Sequence, residues 1–318
     1  MQRNYSIDIL KFICAILVVF LHSKYSYESV VRPLTRCAVP CFFMISGFLL
    51  YKKEGIGKDR IFRNIRHILL ITMWATLLYI IWKEIVMIRQ GGFLPSSRDF
   101  LKWIFLNDCP FAGHLWYLYA YIYVLLIVSL IDKLRLWKYL FMLAPLLLII
   151  ELSFGEYSLI IFNRTFPVNY VRNFLFVGFP YFAIGAFFKN NPTYCFMNNK
   201  VLWGGVILFS LTSLLEKYIL IQIDKVPIRE HYFSSTFLAI SLFMLLLSFN
   251  INKPNVFSRL GEKDSLYIYI IHPIIITIIG VVFNSIGLTA LYSWIAPFLV
   301  VIVVMYLIYV LRKCRLIH

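Results

Sequence analysis

The sequence predicts an all-α polytopic membrane protein: about ten transmembrane helices in one bundle around a central cavity, with both termini cytoplasmic. Three observations predict it. Of 318 residues, 61% are hydrophobic and only 14% charged, where a soluble domain carries roughly 45–50% and 25%. Mean hydropathy is +0.80. The apolar residues also fall in runs close to the ~20 residues that a crossing helix needs. An aromatic content of 18% excludes a disordered chain.

The runs lie at about 7–24, 33–51, 67–88, 114–131, 137–152, 172–188, 200–220, 233–249, 265–284 and 291–311. The first is expected to be a retained span, since Met1–Ser6 is too short for a signal-peptide head and no small-residue cleavage site follows. The second contains Pro40, which a membrane helix tolerates, and Ser46-Gly47, which admits close helix approach. The third follows a cationic segment. The fourth opens Gly113-His114-Leu115-Trp116-Tyr117-Leu118, as interfacial aromatic belts do. The fifth is short and holds Pro145, the sixth opens with Arg172-Asn173, and the ninth contains Ser265, His272 and Pro273.

With the N-terminus inside, cytoplasmic segments hold 18 of the 31 Lys and Arg, from Arg3 onward, against 11 outside. The bias peaks at 52–66 and at Arg312–Arg315, so both termini are expected inside and the span count even. The same rule accounts for the net charge of +16 without a nucleic-acid partner. Outward segments 89–113, 153–171 and 221–232 are too short for domains, so 1–318 is expected to be a single membrane domain. No GxxxxGK[ST] or GxGxxG sequence occurs. The cysteines Cys14, Cys37, Cys41, Cys109, Cys195 and Cys314 show no CxxC spacing and read as buried free thiols; no metal is assigned.

Ionisable groups inside spans are costly and point to function. The first span carries Asp8, Lys11 and His22. Asp8 and Lys11 can pair at i,i+3. Lys11 and His22 share a side about 16 Å apart along the axis. These residues either mark the interface and cap the helix or place a general base, because an imidazole takes a proton near neutral pH. Arg36 sits near the outer mouth of the second span. Arg60, Arg63 and Arg66 recur every third residue and form a cationic stripe on a helix. The stripe suits phosphates, lipid headgroups or topology anchoring. His114, Trp116, Arg172, Ser46 and His272 are candidates for substrate contact, each with a packing alternative.

The ordered set resembles the acyltransferase-3 family of multispan bacterial membrane acyltransferases. The likeness is carried by Asp8-Ile9-Leu10-Lys11 and His22, Val39-Pro40-Cys41 through Ser46-Gly47-Phe48, the Arg stripe, His114-Leu115-Trp116-Tyr117-Leu118, Arg172-Asn173-Phe174 through Gly185, and Ser265 through His272-Pro273. The resemblance implies transfer of an acyl group, usually acetyl, from cytoplasmic acyl-CoA to a hydroxyl of an envelope glycan or lipid-linked sugar in the bacterial cytoplasmic membrane. It implies His22 as catalytic residue, supported by Lys11 with Asp8, and an Arg-x-x-Arg pair for coenzyme A, either Arg60-Arg63 or Arg63-Arg66. Lys11 stands where many members have Arg, and Pro40 where many have Asp. The latter is closer to the enterobacterial-antigen and exopolysaccharide branch, and also to the membrane half of membrane-bound serine/alanine racemases. An extended pantetheine arm is expected to carry the thioester toward His22, which acts as base or forms an acyl-His. A homo-oligomer is left open. The alternative is a transporter or exporter of a small polar solute, such as an amino acid, or of a polysaccharide.

Overall fold

The computed structural model describes all residues except 1–3, 54, 89–90, 194–197, 225, 227–228 and 316–318, so Arg3 and Cys195 lie outside the described residues. The described residues form helices and turns, with one isolated antiparallel bridge between Lys52 and Gly55. In chain order the helices are α1 (Ser6–His22), α2 (Glu28–Thr35), α3 (Ala38–Leu50), α4 (Lys58–Met87), α5 (Ser97–Leu106), α6 (Trp116–Leu134), α7 (Trp137–Phe154), α8 (Ser158–Phe162), α9 (Phe179–Asn190), α10 (Asn199–Asp224), α11 (Phe233–Ser248), α12 (Val256–Lys263), α13 (Ser265–Ser285) and α14 (Thr289–Lys313).

All ten apolar runs are helical. Among the described residues, seven helical segments are long and apolar enough to cross a membrane, and Phe174–Asn190 and Phe233–Ser248 are shorter apolar helices. The structure also resolves detail inside the runs. The second is two helices, α2 and α3, separated at Arg36-Cys37. The sixth begins with a π-helical turn, Phe174–Gly178, because the Asn173 side chain accepts the Leu175 and Phe176 N–H groups and the Asn107 side chain accepts that of Phe174. Two amphipathic helices, α5 and α12, stand where only connections were expected. Capping boxes start both, Ser96 with Asp99 and Asn255 with Ser258.

The chain divides into two compact units, Met1–Phe42 with Cys195–His318, and Phe43–Tyr194. In the first, α1 is central and packs on α2, α11, α12, α13 and α14. Its seam with α13 and α14 is built from Phe12, Ala15, Val19, Ile268, Ile275, Val300, Val304 and Ile308. Against α12 the approach is backbone to backbone: a Cβ on Gly261 would lie 1.6 Å from the Asp8 carbonyl oxygen. In the second unit, α4 packs on α6 and α7 on α9. There Gly47 and Gly185 let α3 and α9 touch reciprocally, since a Cβ on Gly47 would meet the Phe182 carbonyl oxygen at 2.0 Å and one on Gly185 that of Met44 at 1.9 Å. Gly47 therefore serves helix packing.

Candidate functional site

The first unit carries His22 and His272. His22 ends α1 and is exposed, whereas His272 in α13 is fully buried. Their ring centroids are 5.2 Å apart at 41°. His272 Nδ1 lies 3.0 Å from the Ile268 carbonyl oxygen, one turn back. A carbonyl oxygen only accepts, so Nδ1–H is the donor in this contact. Pro273 follows, and its missing N–H breaks the helix ladder beside the pair. Two hundred and fifty residues of sequence hide this juxtaposition: the fold brings His272 of α13 to His22 of α1.

Lys11 instead donates to Asp8 Oδ1 at 2.9 Å, and Asp8 is buried. The expected i,i+3 pair exists, near the start of the helix, where a carboxylate complements the macrodipole. Arg36, at the end of α2, is buried and pairs with Glu230 at 2.9 Å. Beside Glu230, the buried Arg229 pairs with Asp224. Glu230, Arg229 and Asp224 were not singled out in the sequence; their crowding in segment 221–232 was the available signal. Tyr25, just past α1, is another missed group. Its side chain is buried, and its hydroxyl has no hydrogen-bond partner among the described residues. Burial pushes its phenol up to about 12, so it remains a proton donor at neutral pH.

The second unit carries the arginine stripe. The three arginines of the stripe are not equivalent. Arg60 is half-buried and donates from Nη2 to the Leu49 carbonyl at 2.6 Å, closing the end of α3. Arg63 and Arg66 are exposed and make no ion pair among the described residues. His114 is buried in a tight turn, edge-on to Tyr79 of α4 at 4.7 Å. The Arg172 guanidinium lies 5.6 Å from the Trp116 ring, within cation–π range. Ser46 hydrogen-bonds the Tyr121 hydroxyl. These contacts join His114 to α4, Arg172 to Trp116 of α6, and Ser46 to Tyr121 of α6. Of the described cysteines, Cys14, Cys37, Cys41 and Cys109 are buried free thiols, and Cys314, expected among them, is exposed because it follows the last turn of α14.

A multispan helical protein with paired charges inside its apolar helices is the class these features define. The chain belongs to the acyltransferase domain family, acyltransferase-3, whose model matches residues 4–312. It is 29% identical over 215 residues to an amino-acid racemase of Enterococcus faecalis, covering 60% of this chain and 29% of that protein. It is 25% identical over 302 residues to a further amino-acid racemase of Enterococcus faecalis, covering 87% of this chain and 42% of that protein. The chain thus spans less than half the length of these curated relatives. No solved structure matches it.

Proposed function

We propose that this membrane acyltransferase is an O-acyltransferase of the bacterial cytoplasmic membrane. It moves an acyl group, most simply acetyl, from cytoplasmic acyl-CoA to a hydroxyl of an envelope glycan or lipid-linked sugar. Its ten apolar helices cross the bilayer with both termini cytoplasmic, as the Lys and Arg distribution favours.

The observation that carries the reading is the imidazole pair. His22 is accessible to an acceptor, and His272, oriented by the Ile268 carbonyl, packs against it. In the proposed step His22 takes the proton of the acceptor hydroxyl, whose oxygen attacks the thioester carbon. The carbon–sulfur bond then breaks and the thiolate leaves, recovering the proton as free thiol. Arg63 and Arg66 hold donor phosphates, while Arg60 is spent on the Leu49 carbonyl. Arg36 and Tyr25 position the acceptor. The test is purified protein given radiolabelled acetyl-CoA and a panel of envelope glycans. Label transferred to a glycan hydroxyl is expected; no transfer to any member, with a folded protein, overturns the reading.

The named relatives favour a second reading, an amino-acid-handling membrane module. It predicts amino-acid binding or flux in proteoliposomes without acyl-CoA, whereas the first predicts that acyl-CoA is indispensable.

A further inference from the structure

We infer that a separate cationic pocket before α4 receives the 3′-phosphorylated nucleotide end of the donor through Lys52, Lys53 and Arg135. The inference rests on the acyl-CoA reading above and adds a site distinct from the Arg stripe. The pocket has a volume of about 600 Å³, within the usual range for small-molecule sites.

Its frame is built by hydrogen bonds. Lys52 N–H donates to the Gly55 carbonyl at 2.7 Å and Gly55 N–H to that of Lys52 at 3.2 Å, forming a tight turn. Gly57, at φ +87°, supplies a left-handed conformation that other residues resist. Asp132 of α6 then locks the turn in place. Its Oδ1 accepts from Ile56 N–H at 2.8 Å and Trp137 Nε1–H at 2.9 Å, and its Oδ2 accepts from Gly57 N–H at 3.0 Å. The carboxylate lining the pocket is therefore engaged by three protein donors. Lys52, Lys53 and Arg135 line the same pocket, are exposed, and form no ion pair among the described residues.

Among the described residues, three cations without an ion pair surround one carboxylate already engaged by three donors, a grouping that selects a multiply charged anion. Two further features favour a nucleotide over a single phosphate or a lipid headgroup. Tyr51 and Trp137, packed edge to face at 4.6 Å, give the pocket an aromatic wall. Arg63 and Arg66 follow on α4 about 9 and 14 Å along the axis from Gly57, so phosphate donors recur as they would for a ligand phosphorylated at more than one position.

The experiment compares binding of coenzyme A and dephospho-coenzyme A, which lacks only the 3′-phosphate, to the whole protein in phosphatidylcholine nanodiscs. Wild type is expected to prefer coenzyme A by about tenfold or more, the scale of a charge-assisted contact. In Lys53→Ala/Arg135→Ala the preference should collapse to within about twofold, with dephospho-coenzyme A affinity unchanged. Arg63→Ala/Arg66→Ala should weaken both ligands alike and retain the preference. A preference that survives in Lys53→Ala/Arg135→Ala overturns the pocket while leaving the donor reading intact. Failure of wild type to bind either ligand overturns the donor reading and the pocket with it. Loss of the wild-type preference when phosphatidylglycerol is added identifies a lipid-headgroup site and also overturns the nucleotide assignment.

Discussion

The charges singled out above are held differently in the two compact units. In the first, polar groups are buried and partnered: Asp8 with Lys11, Arg36 with Glu230, Arg229 with Asp224, Asp264 with Arg312, and His272 beside His22. In the second, Lys52, Lys53, Arg63, Arg66 and Arg135 are exposed and unpaired among the described residues. Buried pairs cost desolvation and are kept where geometry must be fixed. Exposed cations cost little and suit recruitment of a soluble anion, with an affinity that falls as salt rises. Under the proposed function, reaction chemistry would fall to the first unit and donor capture to the second.

The strongest way to break that division is His22→Ala. Removing a general base costs about 10²–10⁴-fold, so label transfer should vanish from a protein that still inserts and elutes normally on size exclusion, with coenzyme A affinity unchanged. An active His22→Ala enzyme would falsify the assignment of the base. Next comes His272→Phe, which keeps a ring in the buried site and removes both nitrogens. If His272 positions His22, kcat should fall by about 10–100-fold, as small misplacements do, with little change in the acceptor KM. Equal kcat would reduce His272 to packing.

In the second unit, Arg63→Ala and Arg66→Ala should each weaken coenzyme A binding by about tenfold, and more at low salt. Arg60→Ala should act less on affinity than on stability, since its guanidinium already serves the Leu49 carbonyl. Equal effects of all three on affinity would show that the stripe works as a whole.

That ranking marks the limit of what the sequence disclosed. The helical runs were legible because apolar length is a local property. The Asp8–Lys11 pair was legible because i,i+3 spacing fixes it. The inequality of Arg60, Arg63 and Arg66 was not, because it depends on where α3 ends. Nor was the His22–His272 contact, which requires α13 to return beside α1 across 250 residues of chain. Helices α5 and α12 escaped because their 10 and 8 residues are amphipathic and polar-capped, so they read as connections.

Geometry in the first unit also depends on close approach. Gly261→Ala would drive a Cβ against the Asp8 carbonyl oxygen. Overpacking of this kind costs about 1–3 kcal/mol, so thermal unfolding in detergent should shift downward, and activity should fall with it if α1 moves. Unchanged stability would mean that α12 retreats freely and does not hold α1.

The smallest effect tests a buried group of the first unit that departs from this pairing. Tyr25 is buried beside Phe20 and Tyr27, yet its hydroxyl has no partner among the described residues. Tyr25→Phe removes a buried polar atom without opening a cavity, so Tm at neutral pH should hold or rise slightly. Burial holds the phenol near 12, above its ordinary value of about 10. A raised folded-state value contributes stability that is full below about pH 10 and is lost as pH climbs toward 12. The wild type should therefore lose Tm across that interval more steeply than Tyr25→Phe; parallel curves would place the phenol in water. If the hydroxyl also grips the acceptor, the variant's acceptor KM should rise several-fold at constant kcat, and an unchanged KM would confine Tyr25 to packing.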